Sequence, residues 1–161
     1  MSKGIEILTK GLHEGYAGTT VVETIDRLGF ALKRSHYEGE EGVYHDEWLP
    51  TRTGGGQELA RSGEEKYTRL YAGGVIAPKE LHKLGVTEKD VIGYLIKKVG
   101  KLGGKTRLFE DCRSESDGEW QYDYRVTDRI PSVDLTRALE TIHFKDTLVF
   151  VHGFEICRIN E

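Results

Sequence analysis

Cysteine is nearly missing from this 161-residue chain: only Cys112 and Cys157 occur, far apart. That excludes a disulfide framework and a cysteine-rich zinc site, and leaves two reduced thiols expected to serve as packing. Long apolar runs are missing too. The longest, Leu148 to Val151, is far short of a membrane-spanning helix. The opening stretch "MSKGIEILTKGL" carries an early lysine but neither the apolar core nor the cleavage site of a secretory leader, so a cytoplasmic location is expected. An excess of positive charge is also wanting. The net charge of −4 gives no electrostatic reason for binding nucleic acid or an anionic membrane, so the partner to expect is a small molecule or another protein. No "GxSxG" elbow occurs, neither cysteine lies near a histidine in a nucleophile pattern, and no motif calls for a cofactor.

What is present is core-forming material. Hydrophobic residues make up 37%, with eight tyrosines, five phenylalanines and two tryptophans, a composition that argues against disorder and for one domain over 1–161. An internal echo runs through it. "RLGF" at Arg27 is matched by "RLFE" at Arg107, Tyr44 by Tyr124, "EWLPT" by "DRIPS", and Glu58 by Glu140, all at nearly the same offset. This order favours a duplication, 1–80 and 81–161.

Local patterns place the elements. Ile5, Leu8 and Leu12 have helical spacing, with Gly15 or Gly18 to stop the helix. Thr87 and Asp90 form a capping pattern ahead of the stripe Val91, Ile92, Leu95, Ile96, Val99, and Pro78 suits the first turn of a short helix before it. "GEWQYDYRV" alternates as a strand after an Asp117-Gly118 turn, which would pair Phe109 with Val126 and Arg113 with Tyr122. A turn at Glu40-Glu41 would set His36 opposite His45, Arg34 opposite Glu47 and Leu32 opposite Leu49. Further turns fall near Ser62-Gly63 and Lys145-Asp146. Leu148–Val151 lacks alternation, as a central strand covered on both faces would. The expected fold is α+β: two pseudo-repeated units, each one helix plus an antiparallel four-strand meander, with the sheets joined or curled around a shared core. Helices would cover one face, and the Tyr- and Trp-rich face would close on the other sheet or line a cavity.

The stretch "TRTGGGQE" (51–58) suggests a phosphate cradle, but Gln57-Glu58-Leu59 follows where a Walker loop needs Lys-Ser/Thr opening a helix, and Glu58 would repel phosphate. A flexible turn or bulge is the expectation there. His36 and His45 are weak candidates for a metal pair, with Glu47 or Asp46 as a third ligand; half-exposed strand histidines are the commoner case, and no metal site is assigned. His152 on the last strand would have Glu140 as its neighbour, which makes either an acid–base couple or a structural pair. Trp48, Tyr67 and Tyr71, with Trp120, Tyr122 and Tyr124, form stripes at strand spacing, and Arg69 shares the face of Tyr67 and Tyr71. They read as core packing or as an aromatic pocket with Glu58, Arg69, Glu140 and His152 as polar anchors; carboxylates beside π faces favour a cationic or planar guest.

"ILTKGLHEGYAG", "GGGQELARSGEEKYTRLYAGGVI" and "ALETIHFKDTLVFVHGFEI" together resemble a small uncharacterised bacterial domain family with a Tyr-Ala-Gly motif and Gly-x-Glu hairpins. The matching positions are Tyr16, Ala17, Gly18, Gly56, Glu58, Tyr67, Tyr71, Glu140 and Gly153; the segment "APKELHKLGVTEKDV" and the lack of a glycine two before Glu140 depart from the pattern. Some members follow helix-turn-helix regions, so the resemblance implies a sensing role. The functional expectation is a non-catalytic domain that binds a small molecule or a protein. The alternatives are an acid–base hydrolase or isomerase using Glu58 or Glu140 with a histidine, and a homodimer joined through an exposed aromatic face.

Overall fold

The computed structural model describes residues 2–16, 21–114 and 116–160. Local signals formed local structure. Helix α1 spans Lys3–Gly11 and buries Ile7 and Leu8; a wider π-type turn continues it through Leu12–Tyr16. Gly18 and Ala17 lie outside the described residues. Helix α2 (Pro78–Leu84) carries its proline in the first turn and closes on Gly85 in the left-handed region at φ 75°. Helix α3 (Glu88–Leu102) starts on the Thr87/Asp90 capping box, with side-chain and backbone bonds in both directions.

Among the described residues, nine strands form a single antiparallel sheet: β1 (Glu23–Arg27), β2 (Phe30–Gly39), β3 (Gly42–Trp48), β4 (Thr53–Ser62), β5 (Glu65–Val75), β6 (Cys112–Arg113), β7 (Trp120–Ile130), β8 (Leu135–Phe144) and β9 (Thr147–Arg158). Their order is β1-β2-β3-β4-β5-β9-β8-β7-β6. This overturns the expected pair of units. The nine-residue β5–β9 ladder, Tyr67↔Arg158 to Val75↔Phe150, makes one sheet of the chain, in which five strands and one α-helix precede four strands that follow two. Alternation reports which face a side chain takes; it says nothing of which edges meet.

Further expectations are corrected. The Tyr- and Trp-bearing face is the one under the helices: Tyr122, Tyr124, Ile142, Phe144, Phe150 and Phe154 pack with Leu81, Val91, Tyr94, Leu95 and Val99, while Tyr44 and Ala60 pack with Ile7 and Leu8. The opposite face stays open, with Leu59, Leu70, Leu139 and Leu148 each about 40% exposed. The run Leu148–Val151 therefore has one uncovered side; its lost alternation comes from a bulge, since His143 pairs with Leu148 and Ile142 with Phe150, and Val149 turns inward between them. At the far edge, Arg113 pairs with Asp123 rather than Tyr122, and residues 106–110 leave the sheet altogether. Arg107 has φ 58° there and sends its guanidinium inward. Elsewhere His36↔His45 and Arg34↔Glu47 pair as the match of opposite charges across the strands suggested, but the ladder ends at Lys33↔Trp48, and Leu49 bonds to the Gly55 carbonyl instead of meeting Leu32. Both cysteines are free and half-buried, and Cys112 packs against the edge of the core.

Candidate functional site

The triple glycine lies inside β4, paired regularly with β5 as Gly54↔Gly73, Gly55↔Ala72 and Gly56↔Tyr71, so it is neither a turn nor a bulge. Its role is space. A methyl group on Gly56 would run into the Tyr71 phenol and the Glu47 carbonyl. Because none is there, Tyr71 lies across Gly56 and its Oη donates to Asp46 Oδ1 at 3.1 Å.

Asp46 is the odd residue of β3. It sits between Tyr44 and Trp48 on the covered face, is 2% exposed, and faces Glu58 across the β3–β4 ladder. Burial and the neighbouring Glu58 push its carboxyl up to about 8, against a smaller opposing pull from the Tyr71 hydrogen bond. Below that pH it is a neutral acid with a proton to donate.

Behind it run two buried ion pairs. Arg69, fully buried, grips Glu58 through both Nε and Nη2, the latter 2.5 Å from Oε1, and gives Nη1 to the Arg107 carbonyl at 2.6 Å. Arg107 in turn grips Glu140 through Nε and Nη2, each at 2.8 Å. Tyr44 donates to Glu58 and Tyr122 to Glu140, both at 2.7 Å. Burial alone would raise the Glu140 carboxyl, but Arg107's charge and hydrogen bonds outweigh it and hold the group below the usual carboxylate range. Such fork-to-fork pairs fix geometry more than they add stability.

His152 pairs with Glu140 in the β8–β9 ladder, as expected, but without a hydrogen bond: Nδ1 lies 3.8 Å from Oε2 and is buried without a partner. Burial lowers its imidazole to about 4, so the ring is neutral at ordinary pH. A lone pair at Nδ1 would face a carboxylate, so the proton belongs on Nδ1 and Nε2 carries the lone pair.

These groups surround a cavity of about 320 Å³ between the sheet and α3. Asp46, Trp48, Glu58, Tyr71 and His152 reach it from the strands, Arg107 from the inturned loop, Ile92 and Ile96 from α3, and Leu49 to Arg52 from the β3–β4 connection. Leu12 and Phe150 add apolar wall. A roomier groove of about 760 Å³ beside α1 is edged by Lys3, Glu40 and Glu41 at the exposed surface, where water screens charge, and is the weaker candidate.

Of the ten residues picked from sequence, Trp48, Glu58, Tyr71 and His152 line the cavity, and Arg69 and Glu140 are the ion-pair partners beneath it. Tyr122 and Tyr124 are buried, the latter donating to the Leu108 carbonyl at 2.6 Å and so tethering the inturned loop. The other two lie elsewhere: Tyr67 contacts Gly4 and Phe109 near the start of α1, and Trp120 stacks on Tyr94 at 4.9 Å. His36 and His45 stand edge-to-face at 5.9 Å on the uncovered side, and among the described residues no cluster of three or more His, Cys, Asp or Glu could hold a metal. Arg107 was missed as a site residue, and Asp46 was weighed only as a metal ligand. Asp46 had a signal, a carboxylate in the apolar phase of Tyr44-x-Asp46-x-Trp48; Arg107 had none.

Comparison of the chain with protein-family models, with curated proteins and with solved structures finds no match.

Proposed function

We propose that this chain binds a small organic molecule in the cavity between the sheet and α3 and carries out no chemistry on it. The observation that carries the reading is Asp46: a carboxyl is held in a covered, partly apolar cavity with a phenol as its hydrogen-bond partner, an arrangement that costs stability and is what a polar anchor for a guest requires. The cavity volume, about 320 Å³, lies at the small end of ligand sites. A binding role also accounts for the acid–base alternative being disfavoured. Glu58 and Glu140 are each engaged by an arginine fork and a tyrosine hydroxyl, and His152, with its basicity lowered to about 4, is a poor proton acceptor near neutrality.

A thermal-shift screen of small molecules against the wild-type chain and Ile92→Trp, which fills the roof of the cavity, tests this. A true guest at a hundredfold excess over Kd raises Tm of the wild type by about 5–10 °C and leaves the tryptophan variant unmoved. Equal shifts in both proteins, or none in either, contradict the reading.

A further inference from the structure

Building on that cavity-binding reading, we infer that the guest is a small organic monocation, an ammonium or amidinium on an apolar body, whose charge sits against Asp46. The buried ionisable groups around the cavity are unequal in number, so the charges balance only while Asp46 keeps its proton. Three carboxyl groups, Asp46, Glu58 and Glu140, meet two guanidinium groups, Arg69 and Arg107, and each arginine is locked onto one glutamate by a two-pronged contact. At the rim Arg52, which donates to the Val75 carbonyl at 2.5 Å, and Glu88 are one of each sign. The remaining acid is Asp46, which forms no ion pair among the described residues; its hydrogen bond comes from Tyr71.

The rest of the lining matches a cation. The Tyr71 hydroxyl proton is directed at Asp46, so Asp46 and the lone pair of His152 offer the guest acceptors. Trp48, Tyr71 and Phe150 add aromatic side chains to the same lining, the kind of wall a cation favours. A carboxylate guest would instead meet Asp46 and Glu58, with Arg107 already committed to Glu140.

Binding is then coupled to a proton. Facing Asp46 are Glu58 and Tyr44 with Arg69 behind them, Tyr71 from β5, Arg107 from the inturned loop, His152 backed by Glu140, and Glu88 from α3. None of these supplies it an ion pair, so a cationic guest must displace the Asp46 proton to reach the charged form.

Calorimetric titration of the full chain with benzylamine, benzyl alcohol and benzoate, in two buffers of different ionisation enthalpy, reads both charge preference and proton release. Benzylamine is expected to bind at least about tenfold more tightly than benzyl alcohol, and benzoate more weakly still. Below about pH 8 the amine should release about one proton, with affinity rising roughly tenfold per pH unit and then levelling. Asp46→Asn should abolish both the preference and the proton release while keeping a cooperative thermal transition, and Ile92→Trp should block every probe. Amine and alcohol binding alike without proton release, or benzoate binding best, overturns the cation and leaves cavity binding standing. Failure of all three probes, or binding that Ile92→Trp does not disturb, removes the cavity reading and this inference with it.

Discussion

Asp46 occupies a position that strand alternation reserves for an apolar side chain, between Tyr44 and Trp48, and its pH behaviour follows from that placement. Its carboxyl holds a proton up to about pH 8 in the folded chain, against an ordinary value of 3.8. Between those values the native state keeps a proton that the unfolded state gives up, so this residue makes the fold less stable as pH rises across that window. Asparagine copies the protonated form and has nothing to lose. Asp46→Asn is therefore expected to gain on wild type as pH rises, by a few kcal/mol near about pH 8, in denaturant titrations at several pH values; parallel pH profiles for the two proteins would contradict this. His152 acts in the opposite sense at lower pH. Lowered from 6.5 to about 4, it contributes stability that is present above its unfolded value and lost as pH falls through its folded one.

At the scale of elements, what was legible was what is local. The Glu40-Glu41 turn fixed His36↔His45, and Lys145-Asp146, both at positive φ, closed the last hairpin. The Thr87/Asp90 box announced α3 because all its atoms lie within one turn. The β6–β7 register was not legible. The Asp117↔Trp120 bridge puts Gly118-Glu119 at the tip, one residue on from the expected Asp117-Gly118, and so shifts the register; residues 106–110 then leave the sheet, where Arg107 meets Glu140, a partner too distant for any neighbour in sequence to signal. The β4–β5 ladder gives a matching prediction. Glu58 and Arg69 are directly opposite and both buried, so Glu58→Gln leaves a guanidinium charge uncompensated inside the protein. The single variant should lose about 3–5 kcal/mol, and the apolar double variant Glu58→Met/Arg69→Met should lose much less. Chemical denaturation of both variants decides it: a double variant as damaged as the single would mean that the pair stabilises the fold outright.

For the whole molecule, one sheet with one covered face explains the site's position. The β5–β9 ladder brings Gly73 beside His152, and the helices seal the face on which Asp46, Tyr71 and His152 converge. None of this is written in any single segment. Periodicity placed Tyr71 and His152 on strands, but only the order β3-β4-β5-β9 makes them neighbours, with ring centroids 5.6 Å apart. The same order leaves the leucines of the outer face uncovered, whereas the aromatic stripes that suggested an exposed interface lie beneath helices. The central claim is that the assembled fold sets the proton affinity of Asp46. A carbon-13 NMR titration of the carboxyl groups, with the Asp46 signal identified by its loss in Asp46→Asn, measures that affinity directly. A midpoint near 8 is expected in the folded protein, with a return to near 3.8 in denaturant; a folded midpoint at or below the ordinary value would show that the fold does not raise it.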